Sequence, residues 1–398
     1  MSRKSVLIFA KTAYSKTPYD QWLAGTDIDP IILTTDEFAA GYGHMPRVEG
    51  FTNYDRNLLV AKRALAIGRE TSLIAVFARA EADILRAAEL RELLNLPGQK
   101  SASARAFRNK VFMKDHLRKA GVLLPHYKAL DSGYTAIQFI EKHGYPVVIK
   151  PCAESGSSGV HIIRNEADLD GYLAEPTLGE MEIETFVDEQ MYHVDGLILN
   201  GELVFIHPFQ YLTHCLAYRN NEYNGTYTLS PSNPNYDPLV GATRKVLAAL
   251  PTPKHMAFHS EFWVTKDRKI IFCEIASRTG GGMISSTIHY SFGLNVDKEW
   301  LYAECGLPRT FQELTFRPSG GVIIPPQKGT LDFLPTGNEP NFIRETQITG
   351  KTGQQFHGGV KSGLFLAGYV VAGTSEDEVV QHMSATAEWF EKESKWSA

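Results

Sequence analysis

Glu261 and Glu274 are two carboxylates set among apolar, β-prone residues, in 259–264 (HSEFWV) and 269–276 (KIIFCEIA). The polar stretch Lys266-Asp267-Arg268-Lys269 joins the two runs, so they read as a hairpin. Paired strands place such residues side by side. Two buried carboxylates repel each other and stay protonated unless a cation sits between them. A hard, oxygen-seeking ion that keeps its own waters and touches phosphate is the simplest candidate, which means Mg²⁺ or Mn²⁺. Arg278 follows, then Gly280-Gly281-Gly282, a backbone with no side chains in the way. Metal, arginine and exposed amides suit a triphosphate transferring its end group. The competing reading is a surface hairpin with two solvated glutamates.

A second cluster precedes it. Lys150 ends an apolar run pinned by prolines, in 145–151 (YPVVIKP), where a lysine needs an anionic partner. Residues 154–160 (ESGSSGV) follow, and then the strand-like 161–163. Small residues between two strands make a flap whose amides and hydroxyls close over phosphate, with Gly156, Ser157 and Ser158 at its tip. It is not a Walker A loop, since it lacks GK[ST] and strands flank it on both sides. Next, residues 184–187, with Glu184, Phe186 and Val187, could form a hinge whose backbone reads the edge of a base, or simply one more strand. Asn200-Gly201 then marks a tight hairpin.

The elements that must position these groups fall into three units. A length of 398 residues exceeds one ordinary core. Residues 1–105 read as an α/β domain with apolar strands at 6–10, 30–33 and 72–77 and helices at 57–69 and 81–94. No GxGxxG follows the first strand, so a dinucleotide site there has no support. Residues 11–14 leave that strand's C-terminal end, where open α/β sheets bind ligands, although an ordinary loop is the competing expectation.

Residues 106–308 carry the clusters above, with a flap subdomain over about 115–187. Within them, 208–255 has little periodicity before a helix at 238–250, and such a stretch reads as a binding loop. His207, His214, Tyr218 and Arg219 are its candidate substrate contacts, with structural polarity as the alternative for each. Residues 309–398 form a smaller α+β unit with strands at 319–325 and 363–371 and an amphipathic helix at 375–390, acidic in its first turn.

Composition excludes several function classes. A 43% hydrophobic and 21% charged chain is that of a globular protein with a sizeable core. The formal charge of −5 without a basic block argues against nucleic acid. No run is long and apolar enough to cross a membrane, and residues 6–10 are too few for a signal sequence. Cys152, Cys215, Cys273 and Cys305 are far apart and fit reduced thiols in a cytoplasmic setting. A homodimer is the commonest oligomer of such enzymes.

In their order, these pieces resemble the ATP-grasp superfamily, specifically its carboxylate–amine ligases of the L-amino acid ligase kind. The resemblance runs through 80–98 (AEADILRAAELRELLNLPG), 108–125 (RNKVFMKDHLRKAGVLLP), YPVVIKP with its flap, EIETFV with YHVDG, and the HSEFWV and FCEIASRTGGG pair. It implies a pre-grasp domain, a two-lobed ATP-grasp domain and a small C-terminal subdomain. It implies ATP and Mg²⁺ (or Mn²⁺), with Lys110 and Lys150 on phosphates and Gly156, Ser157 and Ser158 as the flap. Glu184, Phe186 and Val187 would form the hinge at adenine, with Trp263 under the base. Glu261 and Glu274 would bind metal, and Arg278 would stabilise the transferred phosphoryl and the acyl phosphate. The sequence departs from the family twice: Ala276 replaces the Asn of E-x-N-x-R, and Met191 replaces the acid before the Tyr of YHVDG.

The implied reaction is phosphorylation of a carboxylate by ATP, attack of an amine on the acyl phosphate, and release of ADP and phosphate. Such chemistry needs positioning and charge neutralisation more than a protein nucleophile, and no convincing Ser/His/Asp or Cys/His set is present. The partners would be a small carboxylate and an amine. The Tyr, His and Asn content of the loops at 208–235 suggests that they are amino acids. The rival expectations are a non-catalytic ATP-binding module, motivated by Ala276 and Met191, and a different ATP-grasp reaction such as carboxylation.

Overall fold

The computed structural model describes residues 4–176, 179–213, 222–359 and 362–397. His214, Cys215, Tyr218 and Arg219 lie outside the described residues. Among those described, the strands fall into four sheets.

The first sheet is parallel and built from β1 (Lys4–Ala10), β2 (Ile28–Thr35), β3 (Val48–Phe51) and β4 (Leu73–Ala78), in the order β3-β2-β1-β4. Its continuous apolar runs arise because both faces are covered: Val6 and Ile8 enter one core cluster, Leu7 and Phe9 another. That is the two-residue period of a strand. β3 was not anticipated; its VEGF is too short and too polar to announce itself. A single turn, Glu81–Asp83, and the Ile84–Leu93 helix follow β4.

The second sheet is antiparallel, with β5 (Tyr127–Ala129), β6 (Val147–Pro151), β7 (His161–Ile163) and β8 (Met181–Thr185) in the order β5-β8-β6-β7. Val147, Ile149, Met181 and Ile183 pack against the Gly133–His143 and Glu166–Ala174 helices. Alternation therefore sends Lys150, Glu182 and Glu184 to the opposite face. The chemistry of this lobe is set by that parity.

The third sheet has eight strands: β9 (Gln190–Leu199), β10 (Glu202–Tyr211), β11 (Asn224–Thr228), β12 (Met256–Val264), β13 (Ile270–Ala276), β14 (Ser319–Ile324), β16 (Ile343–Ile348) and β18 (Ala367–Ala372). They lie in the order β13-β12-β9-β10-β11-β14-β18-β16. β9 and β10 meet at Asn200-Gly201, whose φ values of 55° and 82° are the left-handed pair that a two-residue hairpin turn requires. Here the expected irregular stretch after 208 is corrected. β10 runs on to Tyr211, and β11 is an interior strand between β10 and β14. NGTYT opens on Asn-Gly, which reads as a turn, and pairing on both edges makes it a strand.

The C-terminal unit expected after residue 308 shares this sheet, since β14, β18 and β16 extend it. Its second strand begins at Ala367 rather than 363. The small sheet of β15 (Lys328–Phe333), β17 (Gln355–His357) and β19 (Lys395–Ser397) was not foreseen. The Glu376–Glu393 helix is capped by Ser375, which accepts from the Glu378 N–H, and buries Val379, Met383 and Phe390 in the main core. No helix among the described residues is long and apolar enough to cross a membrane.

Candidate active site

Lys110, Lys150, Gly156, Ser157, Ser158, Glu184, Phe186, Val187, Trp263, Glu261, Glu274 and Arg278 all line one cavity of about 280 Å³. It lies between the second and third sheets and is bounded by both. These twelve positions span 169 residues of sequence (278 − 110 + 1), so only the fold brings them together.

Glu261 and Glu274 are register partners across the β12–β13 hairpin. A bulge follows Glu261, and both carboxylates face the cavity, as does Trp263. With Cys273 they place one ligand atom each within 4.8 Å of one another. Burial raises the Cys273 thiol well above its usual range, with the Lys150 charge acting the other way. The two carboxylates are the hard oxygen donors of this set. Two carboxylate oxygens on one hairpin fit a hard divalent ion such as Mg²⁺ or Mn²⁺. Lys110 stands 3.0 Å from Glu274 and donates to the Glu154 carbonyl at 2.8 Å. Burial opposes the Glu274 charge, yet Lys110 and then Lys150 hold its carboxyl below the usual range.

Lys110 opens the Lys110–Lys119 helix, capped by Asn109. One turn on, Lys114 is fully buried and donates to Glu182 at 2.9 Å, with Glu184 as its second acceptor. Lys150 pairs with Glu184 at 2.5 Å and Glu182 at 3.6 Å. Despite burial, Lys114 and Lys150 pull the Glu184 carboxyl down to about 2. Two lysines and two glutamates thus form a square of ion pairs, with Lys150 and Glu184 on the cavity wall. Sequence reasoning missed Lys114 and Glu182. Their spacing could have signalled them, since i,i+4 on a helix and i,i+2 on a strand each share a face.

Glu184 was expected at the hinge, reading a base through its backbone. It is an interior strand residue with Tyr127 and Val148 as its neighbours, and its carboxylate serves as the counter-ion of Lys150. Phe186 and Val187 lie beyond the end of β8, and the Phe186 N–H is tied to the Pro146 carbonyl at 3.3 Å.

Arg278 is held by a residue that follows the first, parallel sheet. Glu81, in the turn after β4, accepts from both Arg278 and Arg108. Burial resists the Glu81 charge, but the two guanidiniums bring it down to about 2. Arg278 also donates to the Thr279 carbonyl at 2.7 Å. Nothing in the sequence near Glu81 announced this role, because its partners lie 27 and 197 residues away.

A second buried cluster backs Glu261. Tyr211 donates to its carboxylate at 2.6 Å and His259 approaches at 3.4 Å. His259 also contacts Asp195 at 3.1 Å, and Asp195 contacts His193 at 2.5 Å. Burial disfavours charge on His259, but Asp195 and Glu261 raise its pKa to about 10. Ala276, the departure from E-x-N-x-R, is the register partner of His259. Met191 lines the cavity.

His207, a candidate substrate contact with a structural role as the stronger expectation, is packed among Phe209, Tyr236, Phe292 and Phe316. Burial pushes its pKa down to about 3, so it stays neutral in the core. Over the cavity, the flap is docked: the Ser362 N–H donates to the Gly156 carbonyl at 3.2 Å.

Residues 143–287 match the ATP-grasp domain family. An L-arginine-specific L-amino acid ligase of Bacillus subtilis is 26% identical over 320 residues, 77% of this chain and 76% of that protein. Among solved structures, an L-amino acid ligase from Bacillus licheniformis superposes with a TM-score of 0.75 at 17% identity, covering 98% of each chain. A carboxyaminoimidazole ribonucleotide synthase from Aspergillus clavatus, complexed with ATP, has a TM-score of 0.75 at 16% identity, covering 98% of this chain and 100% of that one.

Proposed function

We propose that this chain, which belongs to the ATP-grasp superfamily, is an ATP-dependent ligase that joins a carboxylate to an amine through an acyl phosphate, with amino acids as the substrate class. The observation that carries the reading is the charge arrangement around one cavity: two carboxylates facing each other, Lys110 and Lys150 beside them, and Arg278 fixed from behind by Glu81.

Each residue has a physical task. Lys110 and Lys150 offset the charge of the β- and γ-phosphates, and their carboxylate partners keep both ammonium groups protonated. Burial alone would lower the Lys150 pKa, whereas Glu184 and its neighbours hold it well above the usual range. Glu261 and Glu274 would hold Mg²⁺ or Mn²⁺, which when bound neutralises charge on the transferring phosphate. Arg278 is aimed at the phosphoryl group as it passes to the substrate carboxylate and stabilises the equatorial charge. The adenine lies between the Phe186–Val187 side and Trp263. Gly156, Ser157 and Ser158 cover the site, so that water does not hydrolyse the acyl phosphate before the amine attacks.

The 26% identity to an L-amino acid ligase over three quarters of each chain supports amide formation. Carboxylation by the same phosphoryl-transfer logic is the alternative, since the carboxylating neighbour shares the fold equally.

The deciding experiment is release of phosphate from Mg·ATP, screened over pairs of amino acids and small carboxylates. ADP and phosphate that appear only with two substrates, and fall about 10²–10³-fold in Arg278→Ala, are expected. Production of AMP and pyrophosphate would rule the mechanism out. Bicarbonate-dependent phosphate release would favour carboxylation.

A further inference from the structure

Beyond the groups with a proposed task, the cavity has a second polar end. Asn224 and Thr226 both line it, and each is only 6% exposed. They sit two residues apart on β11, so they share a face. Gly225 between them marks the opposite face, since a Cβ there would stand 2.4 Å from Met383 of the C-terminal helix. The register partners of Asn224 and Thr226 on β14 are Ile323 and Gly321. A Cβ on Gly321 would stand 2.9 Å from the Met283 Cβ, and one on Gly282 would stand 3.6 Å from Ile323. The chain from Gly281 to Ile284, just after Arg278, therefore roofs this end of the cavity.

Strand order fixes its position. Trp263 on β12 pairs with Met191 on β9, and Thr226 pairs with Tyr211 on β10, the strand beside β9. Thr226 is thus three strand spacings, about 14 Å, from Trp263. Tyr211, whose hydroxyl reaches Glu261, stands between them. Asn224 and Thr226 therefore lie on the far side from the base, where the substrate that receives the phosphoryl group must sit.

The chemistry of this end is that of neutral hydrogen-bond donors. The Thr213 hydroxyl donates to the Asn224 Oδ1 at 3.2 Å, which leaves the amide N–H groups for another acceptor. Among the described residues, those N–H groups and the Thr226 hydroxyl have no protein partner. Buried polar groups are normally hydrogen-bonded, so exceptions on a cavity wall point to a ligand. The side chains around them, Ile323, Met283 and Ile284, are apolar. Lys110, Lys150 and Arg278 are already engaged by Glu274, Glu184 and Glu81. A charged side chain would enter this end without a counter-ion, and an aliphatic one would leave the amide and the hydroxyl unpaired.

We infer that Asn224 and Thr226 select the side chain of the substrate whose carboxylate is phosphorylated, and that this side chain is uncharged and accepts hydrogen bonds, as a carboxamide or a hydroxyl does. The inference rests on the ligase reading above and deepens it, because that reading leaves the side chain open.

The test keeps one amine partner and compares acyl substrates of similar shape, L-glutamine against L-methionine and L-threonine against L-valine. Mass spectrometry identifies the residue at the amino end of the product. Wild type is expected to favour the polar member of at least one pair by about 10- to 100-fold in kcat/KM. Asn224→Leu and Thr226→Val should each shrink that preference about 5-fold or more, and Thr226→Ser should keep it. Equal use of both members by wild type would overturn the assignment. So would variants that lose activity equally on both members, which is what a merely structural role gives. If no pair turns over, the ligase reading fails by itself, and calorimetry with Mg²⁺, AMPPNP and the same four amino acids decides the site. Tighter binding of a polar member that is lost in Thr226→Val supports it, while absence of binding, or binding indifferent to the side chain, overturns it.

Discussion

Lys110 and Glu274 stand 3.0 Å apart, so the lysine proposed for phosphate and the carboxylate proposed for metal share one charge balance. Lys110 enters from the first turn of a helix and Glu274 from the end of a hairpin. Replacing the lysine would remove the proposed phosphate contact and leave the carboxylate without its neutralising partner. Lys110→Met should lower kcat by about 10²-fold or more, measured as phosphate release at saturating ATP. A loss confined to KM for ATP would show that the lysine binds substrate and transition state alike.

Glu81 orients Arg278 without lining the cavity itself. Glu81→Gln should lower kcat about 10²-fold through misplacement of the guanidinium, with ATP affinity by calorimetry unchanged. Two buried arginines then share no full counter-ion, so thermal denaturation should show a loss of about 3 kcal/mol or more. An active, less stable variant would reduce Glu81 to a structural role.

The Glu184 carboxyl is depressed from an ordinary 4.5 to about 2 by Lys114 and Lys150. A depressed acid contributes stability that is fully present above the unfolded value and is lost as pH falls through the folded one. Wild type should therefore lose Tm steeply between about pH 4.5 and 2. Glu184→Gln should be less stable at neutral pH by about 3–5 kcal/mol, because two buried lysines lose a partner. It should also lack part of the acid slope. Parallel Tm–pH curves would contradict the assignment of this carboxyl as a buried anion.

His259 ties Asp195 to Glu261. Groups behind a metal ligand fix its direction, and their loss typically weakens metal binding about 10–100-fold. Asp195→Asn and His259→Gln should each weaken Mn²⁺ binding by that order in an electron-paramagnetic-resonance titration. Unchanged Mn²⁺ affinity in both would detach this cluster from the metal site.

Gly196, in YHVDG, is needed for close approach rather than for conformation. A Cβ there would stand 2.2 Å from the Phe258 ring and 2.6 Å from the Phe205 carbonyl oxygen. Gly196→Ala should cost about 1–3 kcal/mol in a denaturant melt. A neutral result would mean that β9 and its neighbours repack freely.

Much of the site was legible because its residues stand out against their surroundings. Lys150 among valines and prolines, or Glu261 between serine and phenylalanine on a strand, violates the local pattern, and such violations mark sites that need a partner. Glu81, Arg108, Lys114 and Glu182 sit in polar or mixed stretches where a charge is unremarkable. Glu81 and Arg108 could not be told from surface residues, and only spacing set Lys114 and Glu182 apart. His207, a possible substrate contact for which structural polarity was the stronger expectation, is packed in the core.

By itself the sequence determined the local elements and their order: the apolar parallel strands, the Asn200-Gly201 turn, the flap and the carboxylate hairpin. These follow from short-range propensity and periodicity, which a linear chain carries in full. Tertiary structure alone decided which charges meet. Ion pairs such as Arg278 with Glu81 join residues 197 apart, and the shared eight-stranded sheet ties the C-terminal strands to the central hairpins. Burial then turned these meetings into function, because only in a low-dielectric interior does a neighbouring charge hold Glu81 and Glu184 ionised and fix Lys150 and Arg278 in direction.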